Sequence, residues 1–129
     1  MADSLIFDTD ILIWVQRGNN KAAKLIDNTS IRKISIQTFM ELLQGAQSKL
    51  QHKYIKDFLA IYDFEVLPLT ENIGHRASIY IEEYSLSCGI RAGDALIAAT
   101  SIENNHTLAT SNKKHFKDVK DLQLHVFKP

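Results

Sequence analysis

The chain has 129 residues, 45% hydrophobic and 23% charged, with 15 Lys plus Arg balanced by 15 Asp plus Glu. That length suits one domain over residues 1–129 and excludes comfortable room for two, and it buries roughly two thirds of the unfolded surface, enough for a core without staples. The single cysteine, Cys88, excludes an internal disulfide or a thiol-based zinc site, and the zero net charge speaks against a high-affinity, non-specific nucleic-acid binder.

Met1-Ala2-Asp3-Ser4 carries no basic region, and Asp8 and Asp10 interrupt the apolar stretch that follows, so no signal peptide is expected. No apolar run approaches the ~20 residues of a membrane helix. With one thiol, a reducing cytoplasm is the expected compartment. Leu5-Ile6-Phe7 reads as a buried strand ending at Asp8, followed by a short apolar helix through Ile11, Leu12 and Trp14. Ala22, Leu25 and Ile26 keep helical spacing, and Ile34-Ser35-Ile36 reads as a second strand. Phe39, Leu42, Leu43, Ala46 and Leu50 then recur at i, i+3, i+4, i+7 and i+11, predicting one helix. Ile55, Phe58, Leu59 and Tyr62 repeat the pattern, and Val66-Leu67 is a third strand closed by Pro68. Thr70 is a natural N-cap for a long helix bearing Ile73, Ala77, Ile81 and Tyr84. Ala95, Ala98, Ala99 and Ile102 mark a further helix, and Leu108-Ala109 and Leu124-His125-Val126 are short closing strands. Strands alternating with helices imply a parallel sheet of four to five strands covered on both faces.

In such sheets the working site lies beyond the carboxyl ends of the strands. Asp8 and Asp10 stand at one such end, Glu41 follows the second strand, Asp94 opens the alanine-rich helix, and Asn112 follows Leu108-Ala109. If these side chains converge, each carboxylate raises the cost of ionising its neighbours, and a bound cation removes that cost. Oxygen donors with few histidines favour magnesium or manganese over zinc, and such a site can activate water against a phosphate. Simpler explanations stand beside these. Thr38-Phe39-Met40-Glu41 makes a good capping box with Glu41 folded back on the cap, and Asp94 at a helix start is stabilised by the macrodipole. Asp10 suits a helix cap, and Ser111-Asn112 a turn. Asp8 is harder to dismiss, because an acid ending a buried strand is costly unless paired.

Phe7-Asp8-Thr9-Asp10-Ile11-Leu12-Ile13 resembles the opening motif of PIN-domain proteins. The segments from Ser35 to Ala46, from Gly93 to Thr100 and from Leu108 to Phe116 resemble their second, third and fourth motifs, and Phe64 to Thr70 their middle strand and helix start. The ordered set spans nearly the whole chain and is most similar to VapC-type toxins of toxin–antitoxin pairs. That resemblance implies a three-layer α/β/α fold and a Mg²⁺- or Mn²⁺-dependent endoribonuclease. It also implies a homodimer and a small VapB-type antitoxin that wraps the toxin and blocks its site. Asp8, Glu41 and Asp94 match the family's principal acids, with Asp8 and Asp94 as the metal pair. Asn112 falls where many members carry a fourth acid, which puts the number of metals in question, and Asp10 falls where asparagine is common. Thr9 and Thr110 are candidate accessory residues.

Under that reading Glu41 binds the metal through water or orients the attacking water. Arg91, Lys113 and Lys114 are candidate RNA contacts; for any single lysine a solvated helix face is the simpler explanation. His115 and Phe116 are expected to pack the last turn against the sheet. Two rivals remain open. Asp8-Thr9-Asp10 also resembles the nucleophile and general acid of haloacid-dehalogenase-type phosphatases, although the chain is short for that family. Alternatively, the domain is a catalytically weak binding module whose acidic crevice receives a basic segment.

Overall fold

The computed structural model describes residues 3–129; Met1 and Ala2, on which part of the leader expectation rests, lie outside the described residues. Its elements in chain order are β1 (Ser4–Phe7), α1 (Thr9–Gln16), α2 (Asn20–Asp27), β2 (Ile31–Ser35), α3 (Ile36–Gly45) and α4 (Lys49–Ile61). They continue with β3 (Phe64–Leu67), α5 (Glu71–Cys88), α6 (Ala92–Glu103), β4 (Thr107–Thr110), α7 (Lys113–Phe116) and β5 (Leu124–Val126). The five strands form one sheet in the order β3-β2-β1-β4-β5, and every pairing is parallel. No helix among the described residues is long and apolar enough to cross a membrane.

Alternation along the strands splits the core in two. Leu5, Phe7, Ile34 and Ala109 point to one face and pack with Ile11, Leu12, Ile26, Leu42, Ile55 and Leu59 of α1–α4. Ile6 and Leu108 point to the other and meet Ile73, Ala77, Ile97, Ala98 and Phe116 of α5–α7. Ala95, Ala98 and Ala99 of α6 are fully buried, which lets that helix lie close on the sheet. The expected α/β/α layering and parallel sheet are therefore present, with five strands.

The sheet order fixes where a site can form. From β1 the chain winds outward through β2 to β3, then crosses back to place β4 on the other side of β1. Helices that leave β1 and those that lead into β4 cover opposite faces, so a crevice opens at the carboxyl ends of β1 and β4.

Two local expectations are corrected. The helix predicted through Leu50 ends at Gly45, and Leu50 belongs to α4, whose cap is Ser48. The second strand ends at Ser35, and that residue, not Thr38, caps α3: its hydroxyl accepts from the Thr38 amide at 3.0 Å. Either hydroxyl suits the role chemically. Pairing of Ser35 with Leu67 at the end of the β2–β3 ladder sets the register, so the turn starts there. Glu41 consequently sits beyond the first turn of α3 and is no capping-box partner.

Candidate active site

Asp8 stands at the β1–β4 crevice with 5% of its surface exposed. Its amide donates to the Ala109 carbonyl at 2.8 Å, continuing the ladder past the end of the strand. It also caps α1: Oδ1 accepts from the Thr9 amide at 2.8 Å. Oδ2 accepts from the Thr110 hydroxyl at 2.7 Å, and that oxygen accepts in turn from the Asn112 amide at 2.9 Å. Two hydrogen bonds do not offset the environment. Burial first, then the charges of Asp10 and Asp94, push the Asp8 carboxyl from 3.8 up to about 8.

Asp10, expected as a helix cap, lies instead in the first turn of α1, because Asp8 takes the cap. Its Oδ2 accepts from the Ser111 amide at 3.1 Å and from the Ser111 hydroxyl, which ties α1 to the turn after β4. Its Oδ1 is buried with no protein partner. Burial, chiefly, also raises this carboxyl, against the pull of the Ser111 bonds.

Asp94 is the third residue of α6 and reaches back to the Arg91 amide at 3.4 Å, so the helix-start reading is correct as far as it goes. It does not exhaust the residue. The Asp94 charge is felt at both Asp8 and Asp10, and its Oδ2 lies 3.3 Å from His115 Nδ1. The same His115 nitrogen meets the Asn112 side-chain amide at 2.8 Å. Phe116 is buried as expected, but His115 does not pack on the sheet: it stands half-buried between Asn112 and Asp94. Its i+3 offset from Asn112 was the available signal, since a helical turn superposes those positions.

Glu41 enters from α3. Its Oε1 lies 2.5 Å from Thr9 Oγ1 and its Oε2 accepts from Gln37 Nε2 at 3.0 Å. Thr9 Oγ1 is also 3.0 Å from Thr38 Oγ1, which lies 3.2 Å from Ser35 Oγ. A hydroxyl carries one proton. Thr9 spends its proton on the carboxylate, so Thr38 donates to Thr9 and Ser35 to Thr38. This row of hydroxyls ties α1 to α3 and holds one edge of the site. Gln37 was not foreseen as a site residue; lying four residues before Glu41, it shares that helical face.

Arg91, Lys113 and Lys114 are exposed, beside Asp94 and Asn112 in the chain, and among the described residues none pairs with a carboxylate. From Glu41 a groove of about 700 Å³ runs between α1, α3 and α4, with Leu12, Val15, Leu42, Ile55 and Phe58 among its walls.

The donor chemistry fits a small hard cation. Asp8 and Asp94 offer oxygen ligands, and an added positive charge would favour the ionised form of a carboxyl that burial otherwise keeps protonated. Among the described residues no three His, Cys, Asp or Glu side chains are gathered into a ready cage. Magnesium does not need one, since it commonly takes one or two carboxylates and keeps several waters.

A family model described as the PIN domain matches residues 5–122. Among curated proteins, the chain is 33% identical to Ribonuclease VapC1 of Rickettsia felis, over 93% of each chain. It is 28% identical to Ribonuclease VapC1 of Methanocaldococcus jannaschii, over 95% of this chain and 86% of that one. Among solved structures, a toxin–antitoxin complex from Klebsiella pneumoniae superposes with a TM-score of 0.78 at 28% identity, covering 92% of this chain and 94% of its counterpart.

Proposed function

Because the chain belongs to the PIN domain family, in its VapC-type branch, we propose that it is a magnesium- or manganese-dependent endoribonuclease acting as the toxin of a toxin–antitoxin pair. The observation that carries the reading is Asp8: a buried carboxyl at the β1–β4 crevice, pushed up to about 8 and surrounded by Asp10 and Asp94. Burying such a group costs stability unless it is paired. It suits a site completed by a cation and an anionic substrate.

Asp8 and Asp94 are the residues that hold the metal, which when bound supplies Lewis-acid charge for the phosphate and lowers the pKa of a water. Thr9 and Thr110 keep both Asp8 oxygens in place by hydrogen bonds, so the carboxylate plane is set before the substrate arrives. Glu41, anchored at both oxygens, is the group that orients the attacking water. Asp10 adds negative charge and pins the turn that carries Asn112. Asn112 brings an amide, not a fourth acid, and His115 beside it and Asp94 gives that corner a second nitrogen. Arg91, Lys113 and Lys114 receive RNA phosphates at the rim. Hydrolysis leaves 3′-hydroxyl and 5′-phosphate ends. The protein works as a homodimer, and its antitoxin seats an apolar segment in the groove that ends at Glu41.

The match of the PIN domain model to residues 5–122 disfavours the phosphatase alternative. The decisive experiment is sequencing of RNA ends after expression of wild type and Asp94→Asn in parallel. New 5′-phosphate ends in the wild type alone are expected. Equal cleavage by a folded Asp94→Asn protein would end the assignment.

A further inference from the structure

Gly93 precedes Asp94 and lies in the first turn of α6. A Cβ built on it would stand 2.7 Å from Glu41 Oε2 and 3.2 Å from Gln37 Nε2. The gap at this glycine is therefore filled by the tip of one particular pair, the Gln37–Glu41 hydrogen bond of α3. Its φ is not in the left-handed region, so backbone conformation does not demand glycine here. In a helix, glycine is less favourable than alanine by about 0.5–1 kcal/mol. What glycine supplies at this position is clearance for a carboxylate.

Resting on the ribonuclease reading, we propose that Gln37 and Gly93 are positioning residues that form the seat of Glu41. Thr9 fixes Oε1 from α1 and Gln37 fixes Oε2 from the preceding turn of α3. Gly93 lets that carboxylate lie against the start of α6, next to Asp94. Removal of any of the three frees or displaces the carboxylate while leaving its charge in the site. The neighbour of Gly93 is the end of a flexible side chain and not backbone. Gly93→Ala is therefore expected to be cheap for the fold and costly for the geometry.

The test uses Gly93→Ala and Gln37→Met in the full chain. Crystal structures and melting temperatures are taken without metal, and kcat and KM are measured with Mg²⁺ on a pool of short RNA oligonucleotides. Gly93→Ala should keep or raise the melting temperature while the Glu41 carboxylate leaves Gln37 Nε2. Either variant should lose about ten- to a hundredfold in kcat, the scale expected when a reacting group shifts by about 1 Å, with KM within about twofold. In a Glu41→Gln background the same substitutions should change kcat by less than about twofold, because there is no carboxylate left to place. An undisplaced Glu41 with full kcat overturns the proposal, as does an equal loss in both backgrounds. A wild type that cuts no RNA defeats the ribonuclease reading alone, since the crystallographic displacement still decides whether the seat exists.

Discussion

Replacing Asp8 by asparagine should stabilise the metal-free protein, and the size of the gain follows from its surroundings. Asp8 is raised from 3.8 to about 8 in the folded chain. Between those values the folded state holds a proton that the unfolded state has released, so stability falls as pH rises through that window. At about 1.36 kcal/mol per unit, the full window sets a ceiling of roughly 5–6 kcal/mol. Asparagine keeps one oxygen for the Thr9 amide, but it leaves a buried amide against Thr110, which costs about 1–3 kcal/mol. A net gain of about 2–5 kcal/mol at pH 8 remains, or roughly 6–20 °C in Tm for a chain of this length. The assay is calorimetry with EDTA from pH 5 to pH 8. The gap between variant and wild type should widen with pH and narrow when magnesium is added, because a ligand that binds only the folded wild type raises its stability. An Asp8→Asn protein that melts at or below wild type at pH 8 without metal would refute the reasoning.

Two further outcomes are expected. Reversing charge at Lys113 and Lys114 should lower the dependence of log K on log salt by about 1 per residue in RNA-binding titrations; an unchanged slope would remove these lysines from the interface. Asn112→Asp should strengthen magnesium binding in calorimetric titrations and lower the metal-free Tm, since a further carboxylate joins Asp94 and Asp10; unaltered affinity would place Asn112 outside the cation's reach.

Much of this was legible from residues alone, for reasons that can be stated. Leu5-Ile6-Phe7 is apolar on both faces, as a central parallel strand must be, and an acid directly after it falls at the sheet's carboxyl edge. The segments around Asp8, Asp94 and Asn112 meet at the β1–β4 crevice, and Glu41 reaches Thr9 from α3. What escaped was contact between elements distant in sequence. Ser35 and Thr38 are chemically equivalent caps, and only the β2–β3 register decides between them. His115 looked like a packing residue because its partner Asp94 lies 21 positions earlier, on another helix. Gly93 is unremarkable in a string of letters, and its role depends on a glutamate from α3 that reaches it across the crevice.

The Asp8–Thr110 hydrogen bond joins residues 102 positions apart. Asp8 is synthesised long before Thr110, but β1 lies at the centre of the sheet and cannot be enclosed on its second side until β4 has been made. Until Thr110 leaves the ribosome, the first acid has no hydroxyl to hold it and Asn112 does not yet exist. This topology delays assembly of the acidic site until β4 has been translated.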